Sequence, residues 1–259
     1  MNKHPFHIVD FSPWPLLGSV GSLCLVSGLV ASMHRHGVTL LLVGMVLILV
    51  TSIQWWRDVT REATFQGKHT SKVESGMRLG MLLFIGSEIF FFVSFFWAFF
   101  HSSLSPNIEV GAVWPPVGIL AISPFDVPLL NTCILLSSGA TITWAHMALL
   151  ERSWMETQLS LMVTVVLGIY FTSLQILEYE WAGFTLSDGI YGSTFYVATG
   201  FHGLHVFIGT LFIAVMTYRN HCFHFSGVHH FGMEASAWYW HFVDVVWLFL
   251  FLSMYWWGS

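Results

Sequence analysis

Seven stretches of this 259-residue chain are apolar over the length that a bilayer crossing demands, and nothing else in the sequence constrains the fold as tightly. A hydrocarbon core about 30 Å thick takes about 20 helical residues at 1.5 Å each. The stretches lie at 15–33, 38–56, 77–101, 128–150, 157–178, 191–218 and 235–257. They predict an all-α, polytopic membrane protein built as a single transmembrane domain over residues 1–259.

Composition supports this class. The chain is 55% hydrophobic and 9% charged, against about 25% charged in soluble domains, and its mean hydropathy is +0.69. The longest polar interval, Arg57 to Arg78, is too poor in apolar residues to hold a soluble core. A net charge of -5, with no cationic stripe interleaved with aromatics, excludes nucleic-acid binding. No internal repeat stands out, which argues against a transporter made of inverted halves. Cys24, Cys133 and Cys222 are odd in number and include no CxxC pair, so they predict free thiols rather than a disulfide framework or a zinc module. The segment MNKHPFHIVDFSPWP carries neither a leader nor a transit pattern, and Met1 is expected to be the mature start.

Seven spans place the termini on opposite sides, and the cations test that count. Lys3, Arg57, Arg61, Lys68, Lys72, Arg78, Arg152 and Arg219 all fall on the N-terminal side, leaving only Arg35 opposite. Such an excess marks the side from which insertion occurs, so the N-terminus is expected in cytosol or matrix. Glu109, Asp126, Glu178, Glu180 and Asp188 make the other face acidic. Trp55, Trp56, Trp181, Trp256 and Trp257 fall at predicted helix ends, where amphipathic rings settle at headgroup level.

Two carboxylates interrupt apolar spans. Glu88, in FIGSEIFFFVSFFWAFFH, lies eleven residues after Met77, about 16 Å into its helix. A charge there costs about 2.5–3.5 kcal/mol on insertion scales, which favours the neutral acid acting as a hydrogen-bond donor. Ser87 or a nearby backbone group would satisfy it in a structural role, and proton exchange or lipid modulation would be the functional one. Asp244 is expected to pair with His241, one turn earlier on its own helix.

His101, His146, His202, His205 and His241 fall within or beside the spans. His202 and His205 share one helix with no matched pair opposite, so they read as a polar packing stripe rather than haem ligands. His221, His224, His229 and His230 are expected as solvated groups near headgroups, not as a zinc site. Trp55, Trp56, Arg57, Arg61, His69, Arg219 and His224 are candidates to gather at one surface, cations to phosphate and indoles to acyl chains. No nucleophile–base pair, phosphate loop or hydrolytic carboxylate pair occurs, so the chain reads as serving chemistry performed elsewhere.

The segments QWWRDVTREATFQGKHT, SEIFFFVSFFWAFFHSSLSP, PLLNTCILLSSGATITWAH, YGSTFYVATGFHGLHV and HHFGMEASAWYWHFVDVVWLFLFLSMYWW resemble cytochrome c oxidase subunit III in its mitochondrial form, from Trp14 to Ser259. The resemblance implies helices 1–2 splayed from a bundle of helices 3–7 around a lipid-filled cleft. It implies no cofactor in this chain, with haem and copper in partner subunits I and II, accessory subunits alongside, and bound phospholipids including cardiolipin. It also implies an inner-membrane location with the N-terminus in the matrix, and a supporting role in oxygen reduction and proton pumping. Glu88 matches the buried carboxylate beside the cleft, and Trp55, Trp56, Arg61, His69, Arg219 and His224 match lipid-contacting positions. Cys222 stands where some relatives carry a lysine, which removes one cation from that contact. A free-standing transporter using Glu88 and Asp244, or a haem-binding electron carrier, are the rival readings.

Overall fold

A computed structural model describes residues 4–259; Lys3, one of the cations used above for orientation, lies outside them. Among the described residues there is no strand. Seven helices follow one another: α1 (Trp14–Met33), α2 (Thr39–Thr64), α3 (Ser71–Leu104), α4 (Val127–Leu150), α5 (Trp154–Trp181), α6 (Gly189–His221) and α7 (Phe231–Leu250). The last continues through π-helical turns over Phe251–Trp257. All seven are long and apolar enough to cross a membrane.

Several helices outrun the apolar stretches that signal them. Arg57 to Arg78, expected as a polar interval, is helical except for residues 65–70. Helix-favouring residues such as Arg61, Glu62 and Ala63 extend α2 past the last apolar residues that signal it. Trp55 and Trp56 therefore sit two turns inside α2, not at its end.

The chain divides into two compact units, the first ending at Met77 and the second running from Arg78 to Ser259. In the first unit, α1 and α2 form a hairpin whose contact face is made of small residues. Gly21 and Gly28 on α1, with Gly44 and Thr51 on α2, are the buried positions. A Cβ on Gly28 would run into the Leu41 backbone, and one on Gly44 into that of Leu25. Lipid tails are as apolar as leucine, so helices gain little from hiding leucine against each other; close backbone approach supplies the dispersion energy instead. At the N-terminal end, Trp14 Nε1 donates to Asp58 Oδ2 (2.8 Å), His7 faces Glu62 (3.3 Å), and Lys68 Nζ donates to Asp10 (2.7 Å). The ammonium holds the exposed Asp10 carboxyl below the usual carboxylate range, and Lys68 rises in turn.

The second unit is organised by burial. α1, α2 and α3 bury only 11, 11 and 6% of their most apolar stretches, while α4, α6 and α7 bury 44, 44 and 56%, which places the core among the later helices. The fully buried Trp240 and Trp247 pin α7 to α4: Trp240 Nε1 donates to Ser138 Oγ (2.8 Å) and Trp247 Nε1 to Thr132 Oγ1 (2.9 Å). Thr141 and Thr164 bridge α4 to α5 at 2.8 Å, and Tyr179 Oη donates to Thr199 Oγ1 between α5 and α6 at 2.8 Å. Each such bond is worth about 0.5–1.5 kcal/mol net, and more is at stake if one partner is left alone in lipid. Three phenylalanines of α3 lie edge-on to α6 and α7, with Phe91 to Phe201 at 5.0 Å, Phe92 to Phe242 at 6.1 Å and Phe96 to Phe249 at 6.3 Å, while Phe95 stacks on Phe201 at 5.2 Å. The three cysteines are unbridged.

Gly44→Val should drive two methyls into the Leu25 backbone and weaken the α1–α2 hairpin by about 1–3 kcal/mol. Limited proteolysis of the purified protein checks this: the variant should be cut between α1 and α2 at lower protease concentration than the parent.

Candidate functional site: a carboxylate and an imidazole between α3 and α6

Glu88 Oε2 lies 2.9 Å from His205 Nε2, joining α3 to α6 within the second unit. The carboxylate therefore meets neither of the partners expected for it, since the Ser87 hydroxyl donates instead to the Phe84 carbonyl at 2.7 Å. Helix geometry explains the choice. Ser87 and Glu88 are adjacent and point in directions about 100° apart, so a serine reaching back along its own helix leaves its neighbour facing the next one.

His205 is held on every side. Its Nδ1 lies 2.6 Å from the Phe201 carbonyl, and because a carbonyl only accepts, Nδ1 carries a hydrogen. Phe92, Tyr239 and Phe242 pack around the ring at centroid distances of 5.0, 6.3 and 6.3 Å. The side chains of His205 and Glu88 are 10 and 22% exposed, so the contact is drier than a surface pair. With Nδ1–H committed, a single proton decides what lies between Glu88 and His205. It sits either on the carboxyl, donated to Nε2, or on Nε2, donated to the carboxylate. Without it two lone pairs would face each other at 2.9 Å. The arrangement can thus hold one proton at either end with no change in net charge.

The other intramembrane histidine of FHGLH is structural. His202 is 1% exposed and its Nε2 donates to the Val243 carbonyl at 3.1 Å, tying α6 to α7. An apolar groove of about 1080 Å³ runs between α3 and α7, lined by residues including Ile85, Ile89, Phe92, His241 and Val245. Glu88 is not among its lining residues.

The expected Asp244–His241 pair does not form. Asp244 Oδ1 is buried with no hydrogen-bond partner, and the Asp244 carboxyl packs against Gly139, where a Cβ would come within 2.6 Å of Oδ2. His241 lies 3.3 Å from Thr143 Oγ1 on α4 instead. Residues three apart share a helix face, but neighbouring helices offered each side chain a closer contact. His230, expected as solvated, is 8% exposed, with Nδ1 on the Ser226 carbonyl (3.0 Å) and its ring 5.5 Å from that of His146. The loop folds back over α4, a long-range contact that local composition does not announce.

The residues matched to lipid contacts divide between the units. In the first, Trp55 and Trp56 are 40 and 69% exposed, Arg61 is loosely engaged with Asp58 (3.9 Å), and His69 lies 5.5 Å from the ring of His7. In the second, Arg219 lies 4.7 Å over the Phe225 ring, and its Nε is buried with no hydrogen-bond partner. Gly232 leaves room for the guanidinium, since a Cβ there would approach Nη1 to 2.7 Å. The His224 amide donates to the Arg219 carbonyl (3.0 Å), and burial, then the Arg219 charge, holds the His224 imidazole below its ordinary value of 6.5. No cluster of three or more His, Cys, Asp or Glu suited to a metal ion occurs among the described residues.

Comparison with known proteins gives one answer over the whole length. The family model for cytochrome c oxidase subunit III matches residues 4–259. The protein named cytochrome c oxidase subunit 3 from Anopheles quadrimaculatus is 62% identical over 257 residues, covering 99% of this chain and 98% of its own. Those of the same name from Drosophila melanogaster and Danio rerio are 60 and 59% identical, covering 100 and 99% of this chain and 98% of their own. Helix number, the segments that carry the resemblance and the extent of these matches agree: the chain belongs to the cytochrome c oxidase subunit III family.

Proposed function

We propose that this chain is the non-redox third subunit of a proton-pumping terminal oxidase, embedded as one membrane domain in the mitochondrial inner membrane with its N-terminus in the matrix. Haem and copper lie in subunits I and II, where cytochrome c is oxidised and oxygen reduced, and accessory subunits complete the assembly. Within it, this chain stabilises the catalytic core, holds phospholipid and supports proton uptake. The observation that carries the last role is the single-proton contact between Glu88 and His205 at 2.9 Å, a place inside the membrane where one proton can sit on either partner.

Lipid retention rests on the cations. Arg219 holds its guanidinium over Phe225 with one donor, Nε, unfilled, which suits a phosphate headgroup. Arg61 and His69, with Trp55 and Trp56, supply the corresponding chemistry in the first unit, indoles to the acyl chains and cations to the headgroup. Phospholipids such as cardiolipin, which carries two phosphates, fit such sites.

Purification tests the subunit role: the solubilised chain should travel with haem-bearing partners and show no Soret band of its own. A chain that travels alone, or one with intrinsic haem absorbance, overturns it. For the proton-sharing contact, Glu88→Gln keeps a donor toward His205 Nε2 and should assemble normally while lowering proton-linked turnover or its lifetime. His205→Leu removes the acceptor, strands the carboxyl and should cost about 1–3 kcal/mol of stability. Arg219→Ala should lose acidic phospholipid, measured by mass spectrometry of the extracted complex. In the parent, retention should strengthen as pH falls below 6.5, because the depressed His224 imidazole is neutral above that value and adds a second cation only on acidification.

A further inference from the structure

A second group of polar side chains is sealed between α4, α5 and the π-helical end of α7, remote from the Glu88–His205 contact. Asn131 is completely buried, and Gln175, Glu178 and Tyr255 are 4, 3 and 1% exposed. Tyr255 Oη donates to Glu178 Oε1 at 2.6 Å, and Gln175 Nε2 donates to the same oxygen at 3.1 Å. Four atoms remain buried with no hydrogen-bond partner: Glu178 Oε2, Gln175 Oε1, and both Oδ1 and Nδ2 of Asn131.

The helix register brings them to one depth. Thr141 and Thr164 meet at 2.8 Å, which fixes how antiparallel α4 and α5 align. Asn131 lies ten residues beyond Thr141, and Gln175 eleven beyond Thr164, along the same direction. At 1.5 Å per residue those distances are about 15 and 16.5 Å, so the two amides differ in depth by only about 1.5 Å. Trp247 bonds to Thr132, next to Asn131, and its ring lies 5.6 Å from that of Tyr255, so α7 closes the same space.

The chemistry of the unmatched atoms selects their ligand. With Glu178 ionised three are acceptors and one is an amide donor, with Glu178 protonated Oε2 becomes a second donor, and exchanging N and O of Asn131 changes neither inventory. A metal cation would bind the oxygens but leave the donor stranded, whereas water donates and accepts with the same atom. A buried water takes two to four polar partners, and here one water can donate to two of the acceptors and accept from the amide donor. We propose that Asn131, Gln175, Glu178 and Tyr255 enclose an internal water site at the acidic-face end of α5, and that its water bonds Glu178 Oε2 and both amides.

The sign of a stability change tests this in the native assembly. Asn131→Leu, nearly equal in size, strips the water of one partner and should lower the melting temperature of the subunit, with Gln175→Leu acting the same way. If the cluster is dry, the buried amide is pure cost and Asn131→Leu raises the melting temperature, which overturns the proposal. Should either variant fail to assemble, a high-resolution density map of the parent decides. Ordered density within hydrogen-bond reach of Asn131, Gln175 and Glu178 is expected. Direct amide-to-carboxylate contact with no density between, or density that comes and goes with sodium, refutes it.

Discussion

Inside lipid a polar atom can find no solvent partner, and the architecture follows from how this chain answers that constraint. Between α1 and α2 it places almost no polar side chains at the contact, and lets Gly28 and Gly44 bring backbones together. Among α4 to α7 it takes the opposite course. Indoles reach hydroxyls, threonine meets threonine and His202 caps a carbonyl of α7, so each directional bond also sets a helix's rotation. The bulk of α3 is held by a third device, rings packed edge-on and stacked against α6 and α7, with polar contacts at Glu88 and at Arg78, whose Nε donates to Glu234 of α7.

That division explains what was legible beforehand. Helix number and the positions of the spans are written locally, because 20 apolar residues announce a crossing whatever they later touch. Glu88 stood out for the same reason, as a charge in an apolar run. Its partner did not: His205 lies 117 residues away, and FHGLH carries no mark of which histidine turns toward α3 and which toward α7. The Asp244–His241 expectation failed on the same ground, since spacing along one helix says nothing of Thr143 and Gly139 waiting on another. The π-helical turns over Phe251–Trp257 were likewise invisible, because hydropathy does not distinguish a 3.6-residue turn from a wider one.

Glu88, Asp244 and Glu178, the last expected on the acidic face but buried within α5, have three different environments, and the differences are chemical. Asp244 presses one oxygen against Gly139 and leaves the other without a partner. Glu178 accepts a phenol and an amide on a single oxygen, both neutral donors that carry no titratable base. Only Glu88 faces a group that can itself accept a proton, which makes it the one carboxylate able to pass a proton to a neighbour without water.

The Phe201 carbonyl matters as much to that behaviour as the carboxylate. By fixing a hydrogen on Nδ1 it leaves Nε2 as the only variable end of the imidazole, so the contact holds one proton and not two or none. Both placements of that proton leave the pair with zero net charge: on the carboxyl it makes a neutral acid–imidazole contact, on Nε2 a carboxylate–imidazolium ion pair whose charges offset each other. A neutral pair escapes most of the cost of an isolated charge near the bilayer midplane, which is how an apolar helix can carry a glutamate without a lysine or arginine beside it. The aromatic cage of Phe92, Tyr239 and Phe242 then serves a definite end: it packs around the imidazole and, with the Phe201 carbonyl, keeps Nε2 aimed at the carboxyl.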